Sequence, residues 1–170
     1  MKNFRTFKIM AMIAIAAVTM SMAAVAQEKG DKAIGGNFVL GSGDSYSNIG
    51  VGANFRYNIL RQLRGEASFT YFLKKDYLTM WDASVNAHYL FPLGDRLTVY
   101  PLAGAGFLGY SYGSGYGYGG LASHSDLAIN LGGGIDIQLA GNLYLNAEAK
   151  YKISDYWDRL ALSAGLSFKF

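Results

Sequence analysis

Residues 159–170 read Arg-Leu-Ala-Leu-Ser-Ala-Gly-Leu-Ser-Phe-Lys-Phe. Every second position from Leu160 to Phe170 is apolar, and the positions between hold small or polar residues. Successive side chains of a β-strand point to opposite faces, so this alternation predicts a strand with one apolar and one mostly polar face. The chain therefore ends in a two-faced strand.

The same alternation recurs throughout the chain after residue 30. Eight segments follow it with differing regularity: 32–41, 49–59, 63–73, 79–91, 96–110, 126–139, 142–153 and 159–170. Strands of this length cross a bilayer when they are tilted by about 40°. The facing of the first and fifth segments stays open because both are rich in glycine. Pro101 interrupts the fifth, where we expect a bulge or an early bend.

The N-terminus has the features of an export signal. A basic start with Lys2, Arg5 and Lys8 precedes an apolar stretch, and the stretch closes with Ala24-Val25-Ala26. This arrangement predicts a secretory signal over residues 1–26 and a single mature domain over 27–170. A retained membrane-spanning helix would need about 20 apolar residues and would lack the small-residue site.

Charge and cysteine content exclude several classes of protein. Removal of residues 1–26 leaves 12 basic and 12 acidic residues, so the mature part is neutral and we expect no nucleic-acid partner. The chain has no cysteine, which excludes disulfides and a lipid-modified N-terminal cysteine.

The connections between the segments suggest an orientation. Three are tight and hold turn-forming residues: 60–62, 92–95 and 140–142. The four alternate ones are longer and more polar: 42–48, 74–78, 111–125 and 154–158. Short periplasmic turns and longer external loops are the outer-membrane arrangement. We therefore predict an all-β fold, an eight-stranded antiparallel up-and-down transmembrane β-barrel.

Strand number, mature length and the closing strand resemble the small eight-stranded outer-membrane barrels, the OmpX-like and OmpA-like group with its opacity-type surface proteins. The resemblance implies that Phe168 and Phe170 form the signal read by the outer-membrane assembly machinery. It also implies outer-membrane lipid and lipopolysaccharide as partners, and we expect a monomer. The competing fold is a soluble up-and-down barrel such as a lipocalin, whose apolar face points inward. The final Phe, two expected aromatic belts and the lack of a Gly-x-Trp in the first strand argue against it.

If the apolar face meets lipid, the polar face lines the lumen. The charged residues then expected inside or at its mouth are Arg56, Arg64, Glu66, Asp82, His88, Asp126, Asp136, Glu148, Lys150, Lys152 and Arg159. Because both signs occur in comparable number, we predict that they pair into a neutral structural plug. A gated ion path is the alternative.

Two further features bear on activity. Residues 123–126, Ser-His-Ser-Asp, hold the residue types of a hydrolase triad, but such groups usually converge from separate strands, so we interpret this segment as a polar loop entering a strand. Two distant histidines and no cysteine predict no metal site, and we expect no cofactor.

Residues 109–120 are rich in Tyr and Gly, a composition typical of adaptable binding loops. Candidate contact residues are Tyr112, Tyr116, Tyr118 and His124. We therefore expect a non-enzymatic envelope protein that displays its loops, with adhesion to a host surface or extracellular ligand as its possible role. A lipid A-modifying enzyme and a small ion pore are the alternatives.

Overall fold

The computed structural model describes residues 28–43, 47–75, 78–112, 123–154 and 158–170. The strands are β1 Lys32–Gly43, β2 Ser47–Asn58, β3 Leu63–Lys75, β4 Leu78–Tyr89, β5 Phe91–Leu93, β6 Leu97–Tyr112, β7 Ser123–Ala140, β8 Leu143–Ser154 and β9 Arg159–Lys169. No helix among these residues is long and apolar enough to cross a membrane. The predicted signal, residues 1–26, lies outside the described residues.

The strands close into an antiparallel barrel. β1 pairs with both β2 and β9, and β4 pairs with β6, so every long strand has a neighbour on each side. The three-residue β5 follows β4 after Leu90 and continues its pairing with β6. The barrel therefore has eight staves, and the predicted fold class is confirmed.

Each predicted strand is present, with ends that differ by at most three residues. The expectation of four longer loops was wrong for three of them, because the strand hydrogen bonds continue beyond the apolar positions. The segments between strands at that end are 44–46, 76–77, 113–122 and 155–158, and only 113–122 is longer than all of the opposite connections, 59–62, 94–96 and 141–142. We call the end of the barrel with segments 44–46, 76–77, 113–122 and 155–158 the loop end, and the opposite end the turn end. Pro92 belongs to β5 and not to a turn.

Pro101 is accommodated without a bulge, contrary to expectation. The register between β6 and β7 passes through Pro101 without a shift, pairing it with Gly133. The interruption lies on the other side of β6, where the pairing of β4 with β6 stops after His88 and β5 resumes it at Phe91. Because proline lacks an N–H donor, the pairing is lost only beside it.

The exposed side of the barrel is apolar on every long strand. In β1 the outward side chains include Ile34, Phe38 and Leu40, and in β6 they include Phe107, which settles the facing that the sequence left open. Val85 of β4 is 68% exposed. Most large apolar side chains point outward and the buried charged ones point inward, so the lipocalin-like arrangement is excluded.

Trp81 on the outer face lies flat across Gly109 of β6, its partner in the register. A Cβ added at Gly109 would overlap the indole ring, whereas at Gly36, also outward, the nearest atom would be 3.8 Å away. We expect Gly109→Ala to lower the free energy of unfolding by about 1–3 kcal/mol because the ring must move. Urea titration would measure this, and Gly36→Ala is the control, expected to be neutral or slightly stabilising. Equal effects of the two substitutions would contradict the role of the ring.

Candidate functional site in the barrel lumen

The lumen is lined by a spiral of polar side chains that the strand register sets. Starting at Ala33, successive register partners around the barrel return to β1 at Gly43, ten residues further along. The partners met on the way are Arg56, Glu66, Asn86, Gly104, Asn130, Lys152 and Arg159. The stagger therefore carries one row of side chains from the turn end towards the loop end.

Hydrogen bonds follow this row. The amide Nδ2 of Asn86 donates to Oε1 of Glu66 at 3.2 Å, and Nδ2 of Asn130 donates to Oδ1 of Asn86 at 2.9 Å. Lys152 Nζ then donates to Oδ1 of Asn130 at 3.2 Å. Asparagine can donate and accept at once, which allows it to link the charged groups below and above.

Arg56 is the centre of the charged half of the lumen. Its Nε contacts Glu66 at 2.8 Å, its Nη1 contacts Asp136 at 3.1 Å and its Nη2 contacts Glu148 at 2.6 Å. The residue is 2% exposed. One guanidinium thus joins carboxylates from three strands by charge-assisted hydrogen bonds, which are the stronger kind.

Arg64, Tyr100 and His88 form a stack beside this centre. The Arg64 guanidinium lies 4.6 Å from the centre of the Tyr100 ring, and the His88 ring is stacked on Tyr100 with centroids 4.6 Å apart. Tyr100 donates its hydroxyl to Oε1 of Glu148 at 2.9 Å, and Arg64 Nη1 contacts Asp136 at 2.6 Å. The stack fixes the orientation of both guanidinium and phenol.

The remaining lumen lysines are also paired. Lys150 Nζ lies 3.0 Å from Glu148 Oε2 and 3.7 Å from Glu66 Oε1. Lys152 forms an ion pair with Asp82 and donates to the Ser84 hydroxyl at 3.1 Å. We call the eight residues of the turn-end half the ion cluster: Arg56, Arg64, Glu66, His88, Tyr100, Asp136, Glu148 and Lys150. With His88 neutral, its three acids balance its three bases.

The loop-end half of the lumen contains a group of buried apolar side chains. We call this group the apolar cluster: Val39, Phe72, Met80, Leu108, Tyr110, Ala128 and Ala161. Arg159 lies against it, with its guanidinium carbon 4.6 Å from the centre of the Phe72 ring. The loop-end half therefore combines the apolar cluster with the Asp82–Lys152 ion pair, Asp126 and Arg159.

Glu66, His88 and Glu148 bring three possible metal-ligand atoms within 4.8 Å of one another. Two observations argue against a metal there. Lys150 already provides a cation to both carboxylates. The Nδ1 atom of His88 faces Nε of Arg64 at 3.2 Å, and guanidinium can only donate, so Nδ1 accepts and the proton of the imidazole is on Nε2. A protonated Nε2 cannot ligate a metal.

Ser84 is the serine that contacts a lumen lysine in the described part of the barrel. Ser84 contacts Lys152, but its hydroxyl donates to Oδ1 of Asp82 at 2.6 Å, and the side chain is buried. The segment 123–126 is the start of β7 and not a loop, so its side chains alternate: Ser125 is exposed and Asp126 is buried. A strand cannot bring these neighbours together as a triad.

Most of the predicted lumen residues are brought into one connected set. Arg56, Arg64, Glu66, His88, Asp136, Glu148 and Lys150 form the ion cluster, Asp82 pairs with Lys152, and Asp126 and Arg159 lie near the loop end. In the proposed contact loop, Tyr116 and Tyr118 fall outside the described residues. Tyr112 lies on β6 and His124 on β7, and their side chains also fall outside the described part of the chain. Phe168 and Phe170 are exposed at the turn end.

Sequence reasoning missed the inward apolar residues and Tyr100. Inward residues such as Phe72, Met80 and Leu108 look like lipid-facing ones when they are judged by composition. Their positions in the alternation, Phe72 between Tyr71 and Leu73 for example, were the signal that could have identified them.

Comparison with known proteins supports this architecture. The family model described as outer membrane protein beta-barrel domain matches residues 10–170 of this chain. A search of curated proteins finds no match. Among solved structures, Ail, the attachment invasion locus protein of Yersinia pestis, is 21% identical with a TM-score of 0.61, over 84% of this chain and 99% of Ail.

Two structures from Pseudomonas aeruginosa are also similar. The N-terminal β-barrel domain of OprF is 16% identical with a TM-score of 0.68, over 85% of this chain and 100% of that domain. OprG is 14% identical with a TM-score of 0.67, over 87% of this chain and 99% of OprG. At these identities the similarity establishes the fold alone. The family model matches most of this chain, which shows that the chain belongs to the outer membrane protein beta-barrel domain family and is a protein of the bacterial outer membrane.

Proposed function

We propose that this chain is a non-enzymatic surface protein whose barrel anchors an external contact segment, residues 113–122. The observation that carries the proposal is the filled lumen. The ion cluster occupies the turn-end half, and the apolar cluster with the Asp82–Lys152 ion pair occupies the loop-end half, so buried side chains fill the described part of the barrel. A cavity of about 20 Å³ at the turn end, between Asp31, Arg64 and Lys169, has room for about one water molecule.

Because the lumen is filled, we expect a ligand to bind at the ends of the barrel. In outer-membrane barrels short turns are periplasmic and the other connections are external, which places the loop end outside. Segment 113–122 is the longest connection there and contains Tyr116, Tyr118 and five glycines. Tyrosine provides rigid contact area with a hydrogen-bonding group, and glycine lets the segment adapt. Both features suit contact with a partner surface.

The similarity to Ail supports adhesion as the role of this segment. Ail has been crystallised with the heparin analogue sucrose octasulfate, so a barrel of this fold can hold a sulfated ligand. We propose an extracellular or host-surface ligand for the present chain as well. We further propose that the barrel contacts outer-membrane lipid and lipopolysaccharide and is a monomer. Phe168 and Phe170 would be the signal that the outer-membrane assembly machinery reads.

The test is a paired substitution in the contact segment. We expect Tyr116→Ser with Tyr118→Ser to reduce binding of the displayed protein to cultured epithelial cells and to immobilised heparin by about tenfold or more, because buried tyrosines often dominate binding energy. Cell-surface antibody labelling would verify equal display.

Tyr46→Ser, in the loop-end segment 44–46, is the matched control and should bind like the unchanged protein. If the paired variant also binds like the unchanged protein at equal display, segment 113–122 is not the contact region.

A further inference from the structure

Residues 28–31 form a tight turn directly before β1. The backbone N–H of Asp31 donates to the carbonyl of Glu28 at 3.3 Å, and Gly30 between them has a φ of 94°. These two features are those of a type II β-turn, whose third position favours glycine because other residues rarely adopt a positive φ. The shape of this turn is therefore specified by its own residues.

The turn is attached to the strands on both sides of β1. On β2, the Asn58 carbonyl accepts from the Gly30 N–H at 2.8 Å, and the Asn58 N–H donates to the Asp31 carbonyl at 2.9 Å. On β9, Lys169 Nζ contacts Asp31 Oδ2 at 2.6 Å. The same Oδ2 accepts from the Glu28 backbone N–H at 2.9 Å. One carboxylate thus holds both the shape of the turn and its attachment to β9.

The Asp31–Lys169 ion pair lies between the ion cluster and the solvent at the turn end. Both residues line the turn-end cavity. Three members of the ion cluster line it as well: Arg56, Arg64 and Asp136. The side chains of Asp31 and Lys169 are 19% and 29% exposed, whereas those of the three cluster residues are at most 5% exposed. The pair therefore shields the cluster from water, and every connection between strands at this end is among the described residues.

This attachment can break without unfolding the barrel. A half-exposed ion pair contributes little to stability, because water and salt screen its charges. Segments held by a few partly exposed bonds open more readily than strands paired on both sides. The strands beneath the turn keep their own pairing when it moves, since β1 bonds to β2 and β9 along its whole length.

We propose that residues 28–31 form a lid on the turn-end mouth of the lumen, latched by the Asp31–Lys169 ion pair. With the lid closed, the turn-end cavity has room for about one water molecule. When the pair breaks, the lid moves away, and water and small solutes reach Arg64 and Asp136 from the turn end. The lid thereby controls the hydration of the ion cluster.

Thiol labelling tests the lid directly, because the chain has no cysteine of its own. Ser167 is buried and lines the turn-end cavity, so Ser167→Cys places a single thiol behind the lid. The refolded barrel in detergent micelles is treated with a charged, water-soluble thiol reagent. We expect Asp31→Asn to raise the labelling rate about fivefold, because it removes the charge of the latch. An unchanged rate would overturn the proposal.

Gly30→Ala should open the lid without any change of charge. A Cβ at Gly30 meets no atom within 4 Å, so the substitution strains only the backbone of the turn. We expect labelling to be about threefold faster or more. Gly94→Ala is the matched control, since Gly94 also has a positive φ, 79°, and open surroundings but lies in the turn 94–96. Equal acceleration in both variants would mean a general loosening and would overturn the lid.

Exchange of the two charges tests the latch itself. Asp31→Lys alone should speed labelling, and adding Lys169→Asp should slow it again because the pair is restored with opposite polarity. If it does not slow, the ion pair is not the latch. Tyr144→Cys is the second reporter, since Tyr144 lines the same cavity and is half-buried. It serves if Ser167→Cys does not fold.

The lid and the contact segment can fail separately. Tyr116→Ser with Tyr118→Ser should leave the labelling rate unchanged, because segment 113–122 lies at the opposite end of the barrel. Asp31→Asn should in turn bind cells like the unchanged protein. A change of labelling in the tyrosine variant would contradict a lid that acts at the turn end alone.

Discussion

Replacing Arg56 by methionine is expected to lower the free energy of unfolding by about 3–5 kcal/mol, the typical cost of removing one partner from a buried ion network. Among the described residues, Arg56 is the guanidinium that contacts Glu66, Asp136 and Glu148 together. After its removal Asp136 retains Arg64 and Glu148 retains Lys150, but Glu66 keeps Asn86 and two more distant nitrogens, Lys150 Nζ at 3.7 Å and His88 Nε2 at 3.8 Å. A buried carboxylate would thus lose most of its compensation.

Urea unfolding of the barrel in lipid vesicles, followed by tryptophan fluorescence, measures this change. Arg61→Met is the control, since Arg61 is exposed in the turn 59–62 and should alter stability by no more than about 0.5 kcal/mol. Adding Glu148→Gln to Arg56→Met should recover part of the loss, because it leaves two acids with two bases in the cluster and frees Lys150 to pair with Glu66. A loss below about 1 kcal/mol for Arg56→Met would show that the network contributes little.

Arginine at position 85 should be nearly as damaging for the opposite reason. Val85 is 68% exposed on the outer face, midway along the stave formed by β4 and β5. In a water-soluble barrel such a position would tolerate arginine, whereas in hydrocarbon the charge loses its hydration. We expect Val85→Arg to cost about 2–4 kcal/mol in lipid vesicles, as found near the bilayer midplane of such barrels.

Leu60→Arg provides the comparison for this experiment. Leu60 is 52% exposed and apolar like Val85, but it lies in the turn 59–62 beyond the strands. Its replacement should cost no more than about 1 kcal/mol because the charge reaches water. Equal costs at the two positions would contradict the assignment of the outer face to lipid.

Arg56 and Arg159 illustrate how much of the site the sequence could predict. Both occupy the polar face of an alternating strand, so both were expected inside the barrel. The sequence treats them alike. The three carboxylates that Arg56 contacts are 10, 80 and 92 residues away from it in the sequence. Asn48, which accepts a hydrogen bond from Arg159, is 111 residues away from that arginine. Such separations leave no local pattern, so the side chains that each guanidinium contacts could not be predicted.

The sequence by itself determined the strands, their number, the outward apolar face and the set of charges inside, because alternation with period two is a local property of an extended chain. Only the tertiary structure decided which charges meet, that Arg64 and His88 both pack on Tyr100, and that an apolar cluster lies in the loop-end half of the lumen. These depend on the ten-residue stagger from Ala33 to Gly43, which arises when the first and last strands pair. Closure is a property of the whole barrel, and it brings residues distant in the chain to the same height in the lumen.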